Sequence, residues 1–237
     1  MSITLLFVAV AGAVAFWWLW HQGLFGKPWL EEGAPSDLRG MSTTSLPPAK
    51  VGLWAFLAIV SALFVLLISA YTMRMPIGDW LPLPLPRILW FSTAMLVLGS
   101  IALYAAERSA RQGWIEGMRA GVLAGGGTTL LFLIGQLLAW RQLMSEGYFL
   151  SANPANAFFY LMTALHGLHV AGGLVALGRT TARVWVDDDQ VEMREASLSV
   201  ELCATYWHFL LFVWLVLFFL LAGWGGEFLA ICRQLLT

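Results

Sequence analysis

The chain has 237 residues, 59% of them apolar and 14% aromatic, and only 11% carry a charge, where a soluble domain spends about a quarter of its residues on charge. Its 13 basic and 14 acidic residues nearly cancel, and none falls in six windows: 3–20, 51–71, 88–106, 120–140, 157–177 and 203–223. Apolar runs of about 18 residues or more cross the hydrocarbon core as helices, which excludes a soluble enzyme, a disulfide-stapled secreted domain and a nucleic-acid binder.

The composition predicts an all-α integral membrane protein with six transmembrane helices. The first window, ITLLFVAVAGAVAF, has no Lys or Arg before it, so it lacks the basic region of a signal peptide. It runs into Trp17, Trp18 and Trp20, which suit a membrane interface. Residues 1–22 are therefore read as an extra N-terminal spanning helix. Residues 23–50, with the turn-rich piece EEGAPSDLRG, form an irregular cytoplasmic linker. A five-helix bundle is expected over 51–223. Between its first two helices, Pro82, Pro84 and Pro86 forbid helix and make a stiff lead-in. Gly121 and Gly125, continued by Gly126 and Gly127, mark a face that lets another helix approach closely. The acidic run at 187–189 is expected in a solvated turn. The tail, 224–237, is expected to lie at the interface. Cys203 and Cys232 are too few for a disulfide framework and read as small buried hydrophobes.

The loops give an orientation. Lys27, Arg39, Lys50, Arg108, Arg111, Arg119, Arg179, Arg183 and Arg194 follow the odd-numbered windows, and only Arg74, Arg87, Arg141 and Arg233 lie on the other side. The positive-inside rule puts the first group in the cytoplasm and both termini in the opposite compartment.

The spans then leave His166, His169, His208 and Gln136 as their most telling polar groups. Such residues at membrane depth face the bundle interior. His166 and His169 are three apart and share a helix face. With the fifth helix ending near Leu177 and the sixth starting near Cys203, His169 lies roughly 12 Å and His208 roughly 8 Å from the cytoplasmic end. Glu201 sits at the entrance of the sixth helix, and Gln136 is expected near the opposite face. On residue types alone, the three histidines and Glu201 fit a metal or haem site, a proton relay, or a hydrogen-bonded seam that fixes helix register. The ligands are too few for a binuclear centre, and HGLH is not the HExxH of zinc proteases.

The strings themselves say more. FFYLMTALHGLHVAGGLVAL and VELCATYWHFLLFVWLVLFFL carry an HGxHVxxG pattern and an E-x6-H pattern around YWHF. They closely resemble subunit III of the haem-copper terminal oxidases, the cytochrome c and quinol oxidases. The matching positions are His166, Gly167, His169, Val170, Gly173, Glu201, Tyr206, Trp207, His208 and Trp214. VGLWAFLAI, the LPLP lead-in and FLIGQ fit the same family, so the resemblance covers about residues 50–223. Three positions depart from it. Val60, Ala139 and Leu211 stand where the family usually keeps intramembrane acids.

The resemblance implies a helix bundle of the oxidase subunit III type. It implies a non-catalytic accessory subunit of a respiratory complex that reduces O2 and moves protons. No catalytic, cofactor or metal residue is then expected in this chain, since haem and copper belong to catalytic subunit I. The expected partners are subunit I, with subunit II as a further neighbour, and membrane phospholipid. His166, His169, Glu201 and His208 become a structural polar seam, and Arg179 and Arg183 become candidates to hold lipid phosphate. The expected location is a bacterial inner membrane. The alternatives are an accessory subunit of a nitric-oxide reductase and an autonomous cofactor-binding membrane enzyme.

Overall fold

The computed structural model describes residues 47–186 and 190–223. The expected N-terminal helix, most of the linker, the acidic run at 187–189, Cys232 and the tail lie outside the described residues. Within them the chain forms five helices: α1 (Pro48–Arg74), α2 (Ile88–Arg111), α3 (Ile115–Ser145), α4 (Pro154–Val186) and α5 (Gln190–Leu221). All five are long and apolar enough to cross a membrane, and no strand occurs among the described residues. The protein is a multi-pass, all-α membrane protein.

Local chemistry sets the ends. Proline occupies the first turn of α1, where its missing N–H costs no helical hydrogen bond. Residues 81–86, which hold the three prolines, stay irregular. Asn153 starts α4 by accepting the Ala155 N–H at 3.1 Å, an N-cap. Its amide also donates to the Leu81 carbonyl at 2.6 Å and so pins the proline stretch. Between α2 and α3 the turn passes through Gly113 at φ +71°, the left-handed conformation that glycine adopts without steric cost.

One expectation about length needs correction. The fifth and sixth helices were read as stopping near Leu177 and starting near Cys203. α4 instead continues to Val186 and α5 begins at Gln190, so Arg179, Arg183 and Arg194 lie in helix rather than loop. The extension keeps an apolar face: Val184, Ala196 and Val200 are buried, and no proline interrupts it. Charge marks where a chain meets water, and a helix need not stop where the membrane does.

Within the bundle α2 packs on α3 and α5, α4 on α3 and α5, and α1 leans on α5 and α4. The α2–α3 pair is the closest. A Cβ on Gly121 would lie 2.8 Å from the Ala102 carbonyl oxygen, and one on Gly125 2.7 Å from Leu103. These two glycines therefore do form a packing face, as their spacing suggested, whereas Gly127 meets open space. Val60 and Ala139 are buried among apolar neighbours and Leu211 is partly so. The apolar residues at these three family positions are packed as such.

Candidate functional site

Three tryptophan–threonine hydrogen bonds latch the helices together. Trp207 Nε1 on α5 donates to Thr129 on α3 at 2.9 Å, and Trp214 Nε1 donates to Thr93 on α2 at 2.9 Å. Trp140 Nε1 on α3 donates to Thr163 on α4 at 3.1 Å. Each threonine spends its own proton on the carbonyl four residues back: Gly125, Leu89 and Phe159, at 2.7, 2.8 and 2.7 Å. The hydroxyl lone pair is then free to accept the indole. No indole N–H of these latches is left unpaired in a medium that supplies no water.

His166 sits in an aromatic box built by three other helices. Its ring is fully buried and lies 5.2 Å from Trp214, 5.8 Å from Phe132 and 6.3 Å from Phe64, centroid to centroid. His169, three residues on, is only half-buried. Its Nδ1–H donates to the Leu165 carbonyl at 2.7 Å and its ring rests 5.6 Å from Phe64. Its own carbonyl accepts the Tyr206 hydroxyl at 2.9 Å. Gly173 makes room for this contact, because a Cβ there would lie 2.7 Å from the Tyr206 ring and 3.0 Å from Trp207.

His208 and Glu201 look elsewhere. His208 is exposed, with Nδ1 in hydrogen-bond contact with Ser100 Oγ on α2 and its ring 6.4 Å from Tyr104. Glu201, seven residues and thus about 10 Å away along the helix, accepts from Lys50 Nζ at 2.6 Å and lies 3.8 Å from Arg111. Arg111 also pairs with Glu107, so the cluster ties α1, α2 and α5 at one end. Among the described residues no hydrogen bond joins the three histidines and Glu201 to one another: His169, His208 and Glu201 bond to their own neighbours, and His166 is enclosed by rings. No three His, Cys, Asp or Glu side chains among those residues come together as metal ligands.

Several positioning residues had not been singled out from the sequence for this part. Arg119 donates from Nε and a terminal nitrogen to the Val184 carbonyl at 3.1 and 3.0 Å and stacks 5.3 Å from the Trp185 ring. It thereby caps the far end of α4, where helix carbonyls lack partners. Lys50, Arg111 and Arg119 had been counted only as topology signals. Hydroxyls in apolar helices were the available clue to the latches and to Ser100. At the opposite end Arg74 binds Asp79 with both terminal nitrogens, holding that carboxyl below the usual carboxylate range. Arg179 is exposed on α4, and the side chain of Arg183 lies outside the described residues.

A family model for cytochrome c oxidase subunit III matches residues 50–226, a stretch that includes all of these contacts. The chain belongs to the cytochrome c oxidase subunit III family. Curated relatives agree. A probable cytochrome c oxidase subunit 3 of Mycobacterium tuberculosis is 33% identical over 144 residues, covering 60% of this chain and 70% of that protein. Cytochrome c oxidase subunit 3 of Synechocystis sp. is 29% identical over 177 residues, covering 71% and 72%. The cytochrome bo(3) ubiquinol oxidase subunit 3 of Pseudomonas aeruginosa is 26% identical over 177 residues, covering 70% and 80%. His166, His169, Glu201 and His208 all fall inside the stretch matched to the family.

Proposed function

We propose that the chain is a non-catalytic accessory subunit of a respiratory haem-copper oxidase in a bacterial inner membrane, packed on catalytic subunit I. The observation that carries this is the family match across the whole described bundle. The surface of α2 and α5 adds physical support. His208 lies in the middle of α5 yet is exposed, with Tyr104 53% exposed beside it. An ionisable ring at membrane depth faces protein or a water-filled cavity rather than lipid, so this face is the one that meets the catalytic subunit. Haem and copper reside in that partner, with O2 reduction and proton movement.

His166, His169 and Glu201 act as structural anchors, each through the partners described above. Phospholipid fits a second surface. An apolar groove of about 400 Å³ is lined by Leu53, Phe56, Leu168, Gly172, Ala176 and Leu202 among others. Arg179, one turn beyond Ala176, stands where a lipid phosphate would meet it. The end holding Lys50, Arg111 and Arg119 is cytoplasmic by the positive-inside rule. The named relatives use either cytochrome c or ubiquinol, so the donor is settled by assaying the complex with each.

Purification in mild detergent tests the proposal. The chain is expected to elute with a larger polypeptide carrying haem and copper. A Soret band or stoichiometric metal on the isolated chain would overturn it. His169→Ala is expected to weaken retention in the complex while leaving the haem spectrum of assembled complex unchanged. A spectral change with assembly intact would refute a structural role for that histidine.

A further inference from the structure

Among the described residues, two buried side chains have polar atoms without partners: both amide atoms of Gln136 and both ring nitrogens of His166. Gln136 is 5% exposed and His166 not at all. Native proteins rarely leave such groups unpaired, and ordered water is the usual partner when protein atoms do not serve. The two lie on facing helices about a turn apart in level, so Gln136 is beside the histidine turn of α4 and not away from it, as its expected place near the opposite face had implied. Phe132, one turn before Gln136 on α3, touches the His166 ring at 5.8 Å between centroids. Trp140, one turn after Gln136, donates to Thr163, one turn before His166 on α4. Residues four apart share a helix face, so Gln136 is bracketed by two contacts to the same turn of α4.

The side chains recorded beside them offer nothing that competes. Trp214 has committed its N–H to Thr93, and Thr163 donates to Phe159 while accepting Trp140. The other rings against His166, Phe64 and Phe132, present only carbon. A carboxamide brings two donors and an acceptor, and a neutral imidazole brings one of each. Water, with two donors and two acceptors, complements both.

We propose that Gln136 and His166 form a single internal water site that bridges α3 and α4. The bridge gives an amide atom of Gln136 and a ring nitrogen of His166 a shared hydrogen-bond partner. This site is separate from the surface of His208 and does not depend on what the assembled complex reduces.

A structure of the protein in its complex, at a resolution that shows waters, is the direct test. Expected is density for at least one water within hydrogen-bond reach, about 2.6–3.2 Å, of both a Gln136 amide atom and a His166 ring nitrogen. A direct side-chain bond, or water on one residue only, overturns the proposal. A mutant cycle reads the same coupling, because removing one partner orphans the other while removing both does not. Gln136→Leu and His166→Phe are each expected to raise the unfolding equilibrium constant by on the order of tenfold. The double variant is expected to be no worse than the worse single. Additive losses refute a shared site, and where a single variant fails to accumulate, the water density decides.

Discussion

α1 and α5 make an instructive pair. α1 contains the most apolar window of the five helices, yet 17% of that window is buried, against 50% in α5. In water the greasier helix would be the more deeply buried one. In a bilayer, lipid tails solvate apolar side chains as well as neighbouring helices do, so apolarity gives no drive to associate. α5 is central because it carries Trp207 and Trp214, whose N–H groups need acceptors and whose rings fill the space between helices. α1 is held through a few rings such as Phe64 and Tyr71, and by Lys50 at its end.

The sharpest way to break this contrast is to cut α5. Trp214→Ala removes a ring touching Phe132, His166 and Phe218 and orphans nothing on α1. A loss of about 3–5 kcal/mol is expected, read from unfolding in mixed micelles. The same measurement on Ile59→Ala, at a position of α1 that is 70% exposed, should move stability by less than about 0.5 kcal/mol. Equal losses would show that burial is not what separates the two helices.

A second substitution asks whether close backbone approach matters as much as the latches. Gly121→Val places a side chain against the Ala102 carbonyl and Ala106, wedging α2 from α3 at a cost of about 1–3 kcal/mol. Cysteine crosslinking between α2 and α3 should slow in parallel.

The charged ends contribute less. Lys50→Met leaves Glu201 only the more distant Arg111, and because both side chains are partly exposed the loss should be about 1 kcal/mol or below. Added salt should narrow the gap to wild type.

Smallest is the pair at the other end. Asp79 has a depressed pKa through its hydrogen bonds to Arg74. Its contribution is therefore complete above the ordinary carboxylate value of about 3.9 and is lost as pH falls through the depressed value. Thermal midpoints of wild type and Asp79→Asn should differ near neutrality and converge in acid. A gap that widens on acidification would contradict the assignment.

Five of the six windows became helices, since apolar runs of that length leave the backbone no other way to bond itself. The first lies outside the described residues. The ends of α4 and α5 were misjudged because charge density reports contact with water and not the end of a helix. His166 and His169 could be placed on one face from their spacing. Three residues still rotate a side chain by about 60° relative to its neighbour, enough to put one ring in a closed box and the other at its edge. Glu201 and His208 were placed near the histidines by depth alone, and depth leaves the direction around the helix axis open.

The sequence by itself determined that this is a helical membrane protein, and its HGLHV and YWHF strings were enough to suggest the family. Those properties follow from the length and apolarity of local segments and from short motifs, each readable along one helix. Tertiary structure alone decided which partners the polar side chains take. Trp207 finds Thr129 seventy-eight residues away, His208 finds Ser100 across one hundred and eight, and Glu201 finds Lys50 across one hundred and fifty-one. Such pairings depend on how each helix is turned about its own axis. That rotation is set by glycine clearances and indole latches acting together, and no single helix contains it.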